Sequence, residues 1–206
     1  MKLYSTLTSP YGRMARIVRL VKGLEERVLF EATRTRGSDN PYYAINPSGR
    51  VPALVTSNDM VIEDSALVCW YLDNLDCAPT LHAPEGFLGL EQRRLEAVAR
   101  SMLDGLSLWG REYLYRDANI RSSDIMEHEQ ARALRLADVF EEEVLGDVMS
   151  GQLNMAQITL ACVFHGRSNN SPKGFLWRDG RSNLCDWVER ISEVPSVVET
   201  LPPPRN

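Results

Sequence analysis

No stretch of the 206 residues approaches the roughly 18 uninterrupted apolar positions that a membrane-spanning helix needs, which points to a soluble chain. Cysteine is sparse. Cys69, Cys77, Cys162 and Cys185 stand far apart without a CxxC pair, so neither a disulfide framework nor a zinc site of familiar spacing is expected. Basic charge is also in deficit: 23 Lys and Arg against 28 Asp and Glu leave a net charge of −5, the wrong sign for a general nucleic-acid binder. The three histidines, His82, His128 and His165, have no ligand spacing and receive no metal or catalytic role. The opening MKLYSTLTSP holds one lysine but no apolar run of signal-peptide length, so a reduced cytoplasm is the expected compartment. Internal repeats are absent, and the PPP run at 202–204 is the only low-complexity stretch.

What remains is ordinary globular material, 44% hydrophobic and 25% charged, long enough for one large domain or two small ones. KLYST (2–6) reads as a strand. A helix follows it, with Met14, Ile17, Val18 and Val21 on one face and Gly23 as its stop. Arg13, Arg16, Arg19 and Lys22 recur along this helix at a spacing that predicts a solvated basic face. RVLFEAT (27–33) returns to strand character, and 35–50 reads as loop with at most a short helix. PALVT (52–56) and MVIE (60–63) form a hairpin, and DSALVCWYLDNL gives a helix with Leu67, Val68, Tyr71, Leu72 and Leu75 on one face and Asp64 or Ser65 at its N-cap. The first half is therefore βαβ followed by ββα.

Past CAPTLHAPEG (77–86), a candidate linker, strand signals cease. Leu95, Val98, Ala99, Met102, Leu103 and Leu106 predict a helix over about 88–116. Leu134, Ala137, Phe140, Glu141, Val144 and Val148 predict a second over 124–149. Asn154 and Gln157 form a capping box ahead of a buried helix, and NLCDWVERISEV (183–194) is amphipathic through Leu184, Trp187, Val188 and Ile191 until Pro195 ends it. This half is all-α, and such an α/β-then-α chain is expected to carry its ligand cleft at the domain boundary.

SPYGR (9–13), NPSGRVPALV (46–55), IEDSALVCWYL (62–72), the capping box at 154–157 and NLCDWVERISEVPSVVETLP (183–202) occur in an order that resembles cytosolic glutathione S-transferases, in particular bacterial members with serine in the SP position. The resemblance covers nearly the whole chain. It implies a thioredoxin-like glutathione-binding domain over 1–77, a linker over 78–87 and an all-α domain over 88–206 that carries the second-substrate site. It further implies a cytoplasmic homodimer, glutathione as co-substrate with no metal, no nucleic acid or membrane partner, and conjugation of glutathione to small hydrophobic electrophiles. The long helix from about 88 is where the dimer interface is expected.

A thiol with a pKa of about 8.5 is only about 3% thiolate at pH 7, so a transferase must stabilise the anion. Lowering that pKa by about two units takes roughly 2.7 kcal/mol. Ser9, ahead of Pro10 at a helix start, is either a simple N-cap or a hydroxyl that donates to the sulfur as well, and the resemblance favours the second. By resemblance, Val51 offers its main-chain N–H and C=O to the cysteinyl part of glutathione and Pro52 is cis, whereas base rates alone favour trans. Ser65 is implied to take the γ-glutamyl carboxylate at a helix N-terminus, with Asp64 beside the ammonium and Arg50 near the glycyl carboxylate. Strand alternation turns Glu63 to the other side, and it is assigned no role. Trp109 and Tyr113, at i and i+4, are the second-substrate candidates by position, although core packing is the bland alternative.

Some residues depart from the family pattern. Many bacterial relatives carry Ala-Asp-Gly where this chain has Ala99, Arg100 and Ser101, and an acidic residue there can reach glutathione across the dimer; Arg100 cannot, and Asp104 one turn later is the nearest substitute. SPYG stands where a glutaredoxin-like protein has CPYC, and without either sulfur thiol–disulfide exchange cannot start. The remaining alternatives are a non-enzymatic binding or regulatory module resembling starvation-response proteins, and a glutathione-dependent peroxidase or isomerase.

Overall fold

The computed structural model describes residues 1–76, 78–164 and 175–203, so Cys77, His165 and the last proline of the PPP run lie outside them. The chain divides into two compact units, one from residues 1–82 with the segment that begins at Pro195, the other from residues 83–194.

In the first unit, β1 (Lys2–Ser5) is a central strand with Leu3, Tyr4 and Ser5 buried. It pairs in parallel with β2 (Leu29–Ala32) and antiparallel with β3 (Ala53–Val55), which pairs antiparallel with β4 (Val61–Glu63), giving the order β2-β1-β3-β4. A parallel pair needs a crossover, and α1 (Pro10–Val21) supplies it. With α2 (Ser65–Asp73) the unit completes the βαβ-ββα thioredoxin-like arrangement.

Helix α1 starts at its cap: Ser9 Oγ accepts the Gly12 N–H at 3.1 Å, and Pro10 takes the first turn, where no donor is needed. Met14, Ala15, Ile17 and Val18 are buried, and the helix packs against α2. Gly12 is required by close approach, since a Cβ there would lie 1.6 Å from Oγ of the buried Ser5. Gly12→Ala is therefore expected to destabilise the protein by about 1–3 kcal/mol, read as a lowered denaturant midpoint; an unchanged midpoint would show that Ser5 can move aside.

The basic row on α1 is not the solvated face its spacing predicts. Arg13 is buried and donates from Nη2 to the Val197 carbonyl at 2.7 Å and from Nε to Thr200 Oγ1 at 3.2 Å. Arg16 lies over the Phe30 ring, 5.0 Å from its centroid. Arg19 donates to the Val28 and Glu25 carbonyls, and Lys22 to the Asp76 and Pro79 carbonyls at 2.8 and 2.7 Å. Long cationic side chains here satisfy backbone acceptors of segments that fold over the helix flank. Arg13 also explains a second correction: α8 (Pro195–Glu199), expected with the all-α half, belongs to the first unit and packs against α1.

Helix α2 buries Ser65, Val68, Cys69, Leu72 and Asp73, a face rotated from the one expected; Leu67 is 46% and Trp70 51% exposed. Its sequence is apolar almost all round, so periodicity could not choose the inward stripe. The helix ends at a polar knot. Asp73 accepts N–H bonds from Leu81 and His82, a 2.8 Å contact from His82 Nδ1, and the Lys22 ammonium at 3.3 Å.

In the second unit, α3 (Leu90–Tyr115) packs against α4 (Ser123–Glu143) and α6 (Met155–Phe164). Leu95, Ala99, Met102, Leu103 and Leu106 are buried as the spacing predicts. The single helix expected over 124–149 is instead two, because α4 stops at Glu143 and the short α5 (Asp147–Ser150) restarts after Gly146. Glu141 is not part of the apolar stripe: its carboxylate accepts the Asn183 and Leu184 N–H groups at 3.1 and 2.9 Å and so caps α7 (Ser182–Ile191), which has no side-chain cap of its own. Every residue of α6 is buried. Its capping box is half formed: Asn154 Oδ1 accepts the Gln157 N–H at 3.1 Å, while the Gln157 amide donates to the carbonyls of Val148, Gly151 and Gln152. No described helix is long and apolar enough to cross a membrane.

Candidate functional site

Strand register determines where the candidate residues emerge. Tyr4 is opposite Ala53, and Ala53 is opposite Glu63, so the C-terminal end of β1, the N-terminal end of β3 and the C-terminal end of β4 form one row. The loop carrying Ser9 leaves that row, the turn carrying Arg50 and Val51 enters it, and Asp64 and Ser65 follow it directly. Residues 9, 50–52 and 64–65, far apart in the chain, thus belong to one end of the sheet.

Ser9 is half-buried; its oxygen accepts from Gly12, which leaves the hydroxyl hydrogen as a donor at the positive end of α1. The Val51–Pro52 bond is cis, as the resemblance implies. Arg50 is exposed, but both polar groups of its backbone are held. Its carbonyl accepts from Tyr42 Oη at 2.6 Å and Asn46 Nδ2 at 3.0 Å, and its N–H donates to Ser48 Oγ at 3.1 Å. Burial pushes the Tyr42 phenol upward, which keeps it protonated and donating.

Asp64 has φ 75°, a region that costs a residue with a side chain about 1–3 kcal/mol. Its carboxylate caps α2, accepting the Ala66 and Leu67 N–H groups at 2.7 and 3.3 Å, while Ser65 is buried in the first turn. Glu63, set aside on strand alternation, is in fact engaged with this end of the sheet: one of its oxygens accepts from Asn46 Nδ2 at 2.7 Å and from Ser48 Oγ. Those hydrogen bonds hold the Glu63 carboxyl below its usual range. Its partners are 15 and 17 residues away, so no local signal could have found it.

In the helical unit, Trp109 is 1% exposed and meets Phe175 edge to face, so its ring belongs to the core rather than to an open surface. Tyr113 is half-buried beneath the Arg121 guanidinium, 4.7 Å from its centroid. Arg100 is tied to Glu96 at 2.7 Å, and Asp104 is exposed. Among the described residues no group of three or more His, Cys, Asp or Glu could hold a metal ion.

A four-stranded thioredoxin-like unit with these residues at one end of its sheet, combined with a helical unit, defines a class, and comparison with known proteins gives it a family. Residues 8–75 match the family profile "Glutathione S-transferase, N-terminal domain". The chain is 38% identical to glutathione S-transferase Z1 of Arabidopsis thaliana over 98% of its own length and 91% of that protein, and 29% identical to the uncharacterized GST-like protein YibF of Escherichia coli over 98% and 99%. A glutathione transferase family member from Pseudomonas fluorescens Pf-5, solved with bound glutathione, superposes with a TM-score of 0.88 at 26% identity, covering 98% of each chain. The chain belongs to the glutathione S-transferase family.

Proposed function

We propose that this protein is a glutathione transferase that binds glutathione as co-substrate, holds its sulfur as thiolate and conjugates it to small hydrophobic electrophiles. The observation that carries the reading is the Tyr4–Ala53–Glu63 row, which gathers Ser9, Arg50, Val51, Pro52, Asp64 and Ser65 at one end of the sheet. Ser9 donates to the sulfur, Val51 pairs its backbone with the cysteinyl unit beside Pro52, Ser65 receives the γ-glutamyl carboxylate at the α2 N-terminus, Asp64 meets the ammonium and Arg50 the glycyl carboxylate. Tyr113, rather than the buried Trp109, is the aromatic side chain left for the electrophile. A cytoplasmic homodimer completes the reading, and apolar side chains open to solvent support the dimer: Trp70 on α2, and Phe87 and Leu88 just ahead of α3.

Retention on immobilised glutathione, followed by turnover assays with aryl halides, enones and peroxides and by light scattering for the dimer mass, tests this. Retention with conjugation of at least one electrophile is expected. Retention without any turnover would favour a binding module, and failure to be retained would sink the assignment.

A further inference from the structure

Glu63 lies outside the set of ligand-contacting residues, yet the turn that presents Val51 converges on it. The turn spans residues 46–52 and has few backbone hydrogen bonds of its own: Gly49 N–H donates to the Asn46 carbonyl at 2.9 Å, with Gly49 at φ 66°. Its shape is otherwise set by side chains. Asn46 Nδ2 is shared between the Arg50 carbonyl at 3.0 Å and the Glu63 carboxylate at 2.7 Å, and Ser48 Oγ both donates to that carboxylate and accepts the Arg50 N–H at 3.1 Å. Both donors reach the same Glu63 oxygen, Oε2. Glu63 itself is anchored by its place in β4, opposite Ala53.

The Arg50 carbonyl and the Val51 N–H belong to one planar peptide unit and point in opposite directions when that bond is trans. Whatever aims the carbonyl therefore aims the N–H. We infer that Glu63 is a positioning residue for the Val51 N–H: by gathering Asn46 and Ser48 it acts with the Tyr42 hydroxyl, which donates to the Arg50 carbonyl at 2.6 Å, to orient the Arg50–Val51 peptide so that this N–H is presented to the peptide backbone of the bound thiol. The inference rests on the proposed reading of Val51 as a glutathione contact, but the orientation of the turn is measurable without glutathione.

Two variants separate positioning from mere packing. Glu63→Ala removes the acceptor. Glu63→Gln keeps a carbonyl oxygen that can stand where Oε2 does but loses the charge and exchanges the other oxygen for an NH2 group, and a hydrogen bond to an ionised acceptor is stronger than one to a neutral acceptor by a factor of roughly two. Glutathione affinity measured by calorimetry is expected to weaken about tenfold in Glu63→Ala and about two- to threefold in Glu63→Gln. The turnover number at saturating glutathione should stay within about twofold of wild type, because Glu63 touches neither the sulfur nor the electrophile. In the ligand-free protein, Arg50 amide exchange should accelerate about tenfold or more in Glu63→Ala and be largely restored in Glu63→Gln. Unchanged affinity and unchanged Arg50 exchange in a folded Glu63→Ala protein overturn the inference. If wild type itself fails to bind glutathione, the proposed function falls, and the role toward a bound thiol falls with it. Arg50 exchange then still decides whether Glu63 orients the turn.

Discussion

Ser9→Ala is expected to lower the conjugation rate at pH 7 by about 10- to 100-fold while glutathione affinity changes by less than about threefold. A hydrogen bond to an ionised acceptor contributes about 1.5–3 kcal/mol, and each 1.4 kcal/mol is roughly a factor of ten in thiolate population when the anion is scarce. In the proposed reading affinity is spread over the γ-glutamyl and glycyl ends and the Val51 backbone, so losing one contact to the sulfur should cost little of it. The sign of the pH response follows. Without the donor the bound thiol returns toward its ordinary pKa of about 8.5, so the acid limb of the rate profile moves to higher pH and the defect shrinks in alkaline buffer. The same substitution deletes the α1 cap, in which Ser9 Oγ accepts the Gly12 N–H at 3.1 Å, and costs about 1 kcal/mol of stability. Ser9→Thr keeps both the cap and the donor and should recover much of the rate. A Ser9→Ala protein with full activity and an unmoved profile would remove Ser9 from the chemistry and leave it a cap alone.

Asp73→Ala should destabilise the protein by about 3–5 kcal/mol. The Lys22 and Asp73 side chains are 0% and 3% exposed, so removing the carboxylate strands a buried ammonium. The Lys22 ammonium would keep the Asp76 and Pro79 carbonyls, but the Leu81 and His82 N–H groups would lose their acceptor. For a chain of this length that loss corresponds to a fall of about 10 °C in melting temperature. Replacing the pair together, Lys22→Met with Asp73→Leu, should recover the part of the loss that comes from the stranded charge, while the Leu81 and His82 N–H groups and the Asp76 and Pro79 carbonyls stay without these partners. Additive losses in that double mutant would contradict the coupling. Burial pushes the Asp73 carboxyl upward, but hydrogen bonds from the His82 ring, the His82 and Leu81 backbone and Lys22 outweigh it and hold the group below its ordinary value. A carboxyl depressed in the folded state contributes stability that is complete above its unfolded pKa of about 3.9 and is lost as pH falls through the folded value. Acid unfolding of wild type below about pH 4 should therefore be steeper than that of Asp73→Ala, as fluorescence-monitored titrations would show.

Where a residue's role depends on its near neighbours, it was legible in the chain. Ser9 ahead of Pro10 starts α1, Asn154 caps α6 through the Gln157 N–H, and the apolar spacing of α3 and α7 names their buried faces. These features arise within three or four residues of one another, the range over which caps and helical periodicity act. Failures cluster where a long side chain or a uniformly apolar helix leaves the decision to distant partners. Arginine spacing on α1 matched a solvated face, yet Arg13 ends at Val197 and Thr200. Leu67 and Leu72 were equally good core candidates until packing against α1 and the sheet selected Leu72. Glu141, counted in an apolar stripe, caps a helix more than forty residues away.

From the sequence by itself follow the order βαβ-ββα and then helices, the positions of Ser9 and of the α2 start, and the absence of any thiol in SPYG. These rest on local propensity and short-range pattern, which every residue carries wherever the chain goes. Tertiary structure alone decided that Tyr4, Ala53 and Glu63 share a row, that Trp109 is core, and that Glu63 accepts from Asn46 and Ser48 in the turn before Val51. Register and long-range hydrogen bonds are set by the closure of loops between distant segments, and no window of neighbouring residues contains that information.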